Sequence, residues 1–204
     1  MKRNFNLMIF PLLVLIAGLT IYLSHQAILL NPDGAVQTYL RSAVSGNLGY
    51  GVPLDYKNDI SFAGLEPGDI ILGAYPDCAY GYYSHAAIYL GAGQIIEGYA
   101  DLGIVRQSIE HFREYPQICL LRVEAEPAVK QAAVSYVTRQ LGDLFYPVAF
   151  KSGQNTWNCT KIMWKAYQLQ GLDFDENNDL WVPPDSIYNS RHVTVIRERG
   201  RLWS

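Results

Sequence analysis

From Cys159 onward the apolar positions fall at 159, 162, 163 and 166, with the aliphatic stem of Gln170 extending the series. That spacing is one face of a helix, capped by Asn158 and closed by Gly171. A second helix is predicted from Pro127 to Gly142, where Val129, Ala132, Ala133, Tyr136, Val137 and Leu141 share a side. A third, capped by Asp33, is expected at about 35–46. The remaining apolar runs are too short for helices and are bounded by turn residues, so they read as strands: Leu65 to Leu72, Ser84 to Gly91, Gln94 to Tyr99, Ile104 to Gln107, Ile118 to Val123 and His192 to Ile196. Consecutive strands followed by helices predict an α+β domain, an antiparallel sheet with helices packed on it.

The turn Gly91-Ala92-Gly93 joins two of these strands into a hairpin. If residue 90 pairs with 94, His85 lies opposite Tyr99 and diagonal to Glu97, and all three share one face of the sheet. A one-residue bulge in the turn would send Glu97 to the other face. Cys159, in the first turn of its helix, meets unpaired N–H groups and the positive end of the helix dipole, an environment that favours a thiolate nucleophile. The bland reading of the same cysteine is a small buried core residue.

A Cys159, His85 and Glu97 set is suited to acyl transfer. The thiol attacks an acyl carbon, the imidazole moves the proton, and a third polar group fixes the imidazole tautomer. Glu97 is the first choice for that third role and Tyr99 the fallback. The backbone N–H of Cys159 could serve an oxyanion hole. Tyr80, Tyr82 and Tyr83 directly precede His85 and either wall a cleft or pack over the sheet; Tyr83, Tyr99 and Tyr146 are taken as candidate substrate-binding residues.

The segments Gly68 to Leu72, His85 to Gly91, Ile95 to Glu97, Leu141 to Tyr146 and Cys159 to Tyr167, followed by Val182-Pro183-Pro184-Asp185, resemble those of the circularly permuted papain-like cysteine hydrolases of the NlpC-type superfamily, YiiX/YebB-like branch. The resemblance runs from about residue 64 to 190, and histidine precedes cysteine, as in the permuted type. It implies a permuted papain-like fold, Cys159 as nucleophile and His85 as its partner. Asn158, Thr160 and Lys161 depart from the residues usual beside the nucleophile, so substrate contacts there do not carry over. Its likeness in topology to the lecithin-retinol-acyltransferase type sets a lipid-linked substrate beside a cell-wall peptide.

At the N-terminus, Lys2 and Arg3 precede Leu7 to Leu23, 17 residues without a charged side chain, which as a helix would measure roughly 26 Å. Residues 1–26 read as an uncleaved membrane anchor that holds the remainder outside the cytoplasm. The alternative is a cleaved signal peptide and a secreted domain, for which Tyr22-Leu23-Ser24 and His25-Gln26-Ala27 supply poor cleavage sites. Residues 27–63 form a helix and linker, and 64–204 the hydrolase domain. The net charge of −3, without a basic block, makes nucleic acid an improbable partner.

The four histidines and three cysteines lack CxxC or HExxH spacing, and there is no phosphate loop, so neither metal nor cofactor is expected. His111 and His192 are most simply solvated surface groups. Three cysteines in an exported chain suggest a Cys78–Cys119 disulfide that leaves Cys159 free. Asn158-Cys159-Thr160 also fits a glycosylation pattern, read as chance because a glycan would block the nucleophile. Two classes follow: a membrane-anchored cysteine hydrolase or acyltransferase, or an envelope binding protein that keeps the fold without turnover.

Overall fold

The computed structural model describes residues 2–53, 55, 57–176 and 179–200. Met1 of the expected anchor, Leu54 and Tyr56 of the linker, and residues 177, 178 and 201–204 of the expected hydrolase domain lie outside them. Three helices lead the chain: α1 (Lys2–Ser24), α2 (Gln26–Leu29) and α3 (Ala35–Val44). Then come β1 (Ile70–Ala74), β2 (His85–Gly91), β3 (Gln94–Tyr99), β4 (Gly103–Ser108), a 3-10 turn (Ile109–Glu114) and β5 (Gln117–Val123). Helices α4 (Pro127–Thr138), α5 (Cys159–Gln168) and α6 (Pro184–Tyr188) and strand β6 (Val193–Gly200) complete it.

The six strands form one antiparallel sheet in the order β4-β3-β2-β1-β5-β6. Its centre, β1, is flanked on both sides and reads Ile-Ile-Leu-Gly-Ala, buried throughout. Such a continuous apolar run suits a strand covered on both faces rather than the alternation of a half-exposed one. Helix α5 packs against β2, β3 and α4, and its Ile162, Met163, Ala166 and Tyr167 join Ile71, Ile88 and Ile96 in the core. The α+β expectation holds.

Gly73 in β1 is required by its neighbour. A Cβ there would come within about 2.5 Å of the Tyr115 ring. Gly73 pairs with His85 across the β1–β2 ladder, so its missing side chain is what lets the Tyr115 ring lie stacked on the imidazole, 5.8 Å between centroids and 7° from parallel.

Two expectations are corrected. Among the described residues no helix is long and apolar enough to cross a membrane, so the single-pass anchor, and with it a catalytic domain held outside the cytoplasm by that anchor, is not supported. The uncharged stretch is 17 residues against the roughly 20 a span requires, and Pro11, Gly18 and Thr20 interrupt its apolar character. The Cys78–Cys119 disulfide is also absent: all three cysteines are free and buried.

Candidate active site

The site sits where β2 and β3 meet the start of α5. The β2–β3 register pairs Ile88 with Ile96 and Tyr89 with Ile95, and the irregularity lies at the turn end, where Gly91 meets Gln94. The bulge is thus absorbed before the ladder reaches the site, and His85 and Glu97 remain on one face. Their side chains meet at 2.9 Å, His85 Nε2 to Glu97 Oε2, with the carboxylate fully buried and the imidazole 2 % exposed.

On the other side of the imidazole, Asn158 caps α5 by accepting the Lys161 N–H at 2.8 Å, while the Thr160 hydroxyl donates to the same oxygen at 3.1 Å. This cap fixes Cys159 as the first helical residue, and it leaves the buried Asn158 side chain engaged. Below it Lys161 is itself buried, its ammonium donating to Gly153 O at 2.6 Å and Thr156 Oγ1 at 3.1 Å. Cys159 and His85 both line a cavity of about 290 Å³ together with Tyr50, Tyr80, Tyr99, Phe145 and Trp181. With Nε2 committed to Glu97, Nδ1 is the ring nitrogen left for the sulfur.

Burial works against a charged His85 ring, but the Cys159 sulfur, by charge and hydrogen bond, and the Glu97 carboxylate outweigh it and lift the imidazole to about 9. Burial likewise favours a neutral Glu97, yet His111 and His85 together hold its carboxyl down at about 2. Tyr99 stacks on His85 at 5.0 Å and donates its hydroxyl to Glu97 Oε2 at 3.0 Å. Tyr50 presents its ring edge to His85 and pairs its hydroxyl with that of Tyr115.

The sequence-predicted residues divide. Cys159, His85, Glu97 and Tyr99 converge. Tyr83 and Tyr146 do not line the cavity: Tyr83 is buried with its hydroxyl on Glu198 of β6 at 2.6 Å, and Tyr146 is half-exposed, its N–H tied to Trp157 O. Their places are taken by Tyr80 and by Phe145 and Pro147, the neighbours of Tyr146. His111 is not a solvated surface group. Its Nδ1 stands 3.3 Å from Glu97 Oε1 and 2.8 Å from the Tyr99 hydroxyl, with a quarter of the side chain exposed. Its charged neighbours Glu110, Arg113 and Glu114 concealed it; the 3-10 turn that aims it at β3 leaves no periodic signal.

No family model matches the chain. It is 31% identical over 125 residues to the uncharacterized protein YycO of Bacillus subtilis (strain 168), an overlap of 58% of this chain and 50% of that protein. The chain therefore spans about half the length of this curated relative. Its fold matches the crystal structure of the metalloprotein YiiX from Escherichia coli O157:H7, with a TM-score of 0.53, 15% identity, and coverage of 67% of this chain and 98% of YiiX. The chain has a YiiX-like fold. At the level of fold, that likeness agrees with the YiiX-like part of the motif resemblance.

Proposed function

We propose that the protein is a cysteine acyl hydrolase of the permuted papain-like, NlpC-type kind, working through a Cys159 thioester, with acyl transfer to another acceptor as a variant of the same chemistry. The observation that carries this reading is the buried chain Cys159–His85–Glu97, closed by the 2.9 Å hydrogen bond and lining a half-open cavity.

In the proposed cycle the Cys159 sulfur attacks the acyl carbon, and the developing oxyanion accepts from the Cys159 backbone N–H, which at a helix start has no helical carbonyl to meet. The carbon–leaving-group bond breaks as the His85 imidazolium gives its proton to the leaving group, leaving a thioester. His85, now neutral, takes a proton from water as the water oxygen attacks the thioester; the carbon–sulfur bond breaks, the carboxylic acid leaves, and the thiolate is restored beside the imidazolium. Glu97 holds Nε2–H throughout and so fixes Nδ1 as the working nitrogen.

The lining favours an apolar acyl group. Phe145, Pro147, Trp181, Val182 and Pro183 share the cavity lining with Cys159, and Asp101 is the one carboxylate among the lining residues described, so a lipid-type ester or thioester fits better than the charged stem of a cell-wall peptide. Beyond Tyr80 and Pro183, which line both spaces, lies a groove bearing Arg41, Asp33, Glu176 and Arg191, suited to a polar remainder of the substrate.

YiiX is a metalloprotein, and the residues described here do not offer a matching metal site. Among the described residues no group of three or more His, Cys, Asp or Glu could hold a metal ion. His85 Nε2 lies at direct hydrogen-bonding distance from Glu97 Oε2, so the two are spaced as a hydrogen-bonded pair and not as joint ligands of an ion. The test is acylation with p-nitrophenyl esters of graded chain length and mass mapping of the adduct. A thioester on Cys159, faster with medium chains than with acetyl, is expected; turnover retained in Cys159→Ala would overturn the reading.

A further inference from the structure

Glu97 Oε1 is buried and makes no aligned hydrogen bond, while its twin Oε2 takes two, from His85 and Tyr99. Among the described residues the charge that compensates Oε1 is His111, 3.3 Å away. We infer that His111 is a positioning residue of the Cys159 site: it holds the outer oxygen of Glu97, divides that carboxylate between two imidazoles, and couples the buried pair to solvent pH. The inference rests on the proposed catalytic set but not on any particular substrate.

The hydrogen bonds fix how His111 is protonated. The Tyr99 hydroxyl donates to Glu97 Oε2, so toward His111 it must accept, and Nδ1 carries the proton shared between the Tyr99 oxygen at 2.8 Å and Glu97 Oε1 at 3.3 Å. Nε2 faces Glu114 Oε2 at 3.4 Å. The ring therefore meets Glu97 and Tyr99 from β3, Glu114 from its own turn, and His85 of β2 across the shared carboxylate; Tyr115 stands edge-on at 6.2 Å. A cation here is favoured from two sides, and the contact with Glu97 pushes His111 above its ordinary value, against burial. Unlike His85, it is exposed enough to exchange protons with water.

The sign of the coupling follows. A charged His111 draws on Glu97 and repels His85 across it, so both effects lower the proton affinity of His85. Removing that cation leaves the whole carboxylate to His85, whose imidazolium then persists to higher pH, so that near neutral pH less of the neutral imidazole that takes the proton from water in deacylation is present. A purely structural contact would change stability without moving this limb.

The experiment follows the rate of Cys159 alkylation by iodoacetamide from pH 5 to 10 in the full chain, in His111→Gln and in His111→Lys, alongside p-nitrophenyl ester turnover. In His111→Gln the alkaline limb should move up by about half a pH unit or more, and ester deacylation near neutral pH should slow by about threefold or more. His111→Lys, which keeps a cation, should return the limb to within about 0.2 units of the parent. Superimposable profiles for parent and His111→Gln would overturn the inference. Ester turnover failing in the parent while the alkylation limb still moves would remove the acyl-hydrolase reading and leave this one standing. Should His111→Gln not fold, an NMR titration of His111 in the parent and in Glu97→Gln decides: its midpoint should fall in the variant, and an unchanged midpoint overturns the proposal.

Discussion

At the scale of single residues, two thirds of the proposed triad rests on a ladder and one third on a helix cap. Cys159→Ala removes a small thiol and should leave the melting temperature within a few degrees, since such a truncation costs about 1 kcal/mol or less, while abolishing ester turnover. His85→Ala should do nearly the same and also slow iodoacetamide alkylation of Cys159. Glu97→Gln offers His85 an amide where a carboxylate stood; a fall in deacylation rate of roughly 10²–10⁴ is expected, and much less for Tyr99→Phe, which removes one donor to Glu97 Oε2. Steady-state kinetics on both variants separates the two roles. These four residues were legible because each obeys a local rule, helical spacing, capping chemistry or strand register. Tyr50 and His111 were not, because one lies in a turn-rich linker and the other among surface charges, and only the folded chain brings them to the imidazole.

At the scale of elements, the sheet holds the base and its partner while α5 supplies the thiol. Asn158→Ala deletes the acceptor of the Lys161 N–H and the Thr160 hydroxyl. It should cost about 1 kcal/mol of stability by thermal denaturation and a larger share of activity, because the first helical turn frays where Cys159 sits. Gly73→Val would drive a branched side chain into the Tyr115 ring, destabilising by about 1–3 kcal/mol and unseating the ring from His85. Boundaries were the least legible part. Strand β6 runs to Gly200 rather than 196, because the polar Arg197-Glu198-Arg199 is tolerated on an edge strand. The α3 helix starts after Gly34, and its first N–H is taken by Asp179 Oδ2 at 2.6 Å, not by Asp33; a cap arriving from so far along the chain leaves no trace in the local pattern.

For the whole molecule, the buried His85 and Glu97 set opposite limits on stability. His85 is raised from 6.5 to about 9 in the folded chain, so its contribution is complete below about 6.5 and is lost as pH rises through 9. Glu97 is lowered from 4.5 to about 2, so its contribution is complete above 4.5 and is lost as pH falls through 2. Melting temperature should therefore level off between about pH 4.5 and 6.5 and decline toward pH 9, and His85→Phe should flatten the alkaline decline. The overall α+β architecture was legible because strand runs and helix faces are encoded over short windows. The N-terminal span was misjudged because 17 charge-free residues, roughly 26 Å as a helix, were taken as sufficient once their flanks were counted, although Pro11, Gly18 and Thr20 lower the apolar character of the run.

The burial of the other two thiols has a practical corollary. Cys78 and Cys119 are both closed off, and burial pushes each up to about 12, so neither offers an appreciable thiolate in neutral solution. Cys119 is wholly inaccessible within the central strands. A disulfide reagent added to the native protein should thus count one sulfhydryl, the one opening on the cavity, and three once the chain is denatured. The difference turns every preparation into its own gauge of integrity: the fraction of molecules that have lost their interior can be read, without substrate and without labels, from the rate at which the second and third equivalents appear.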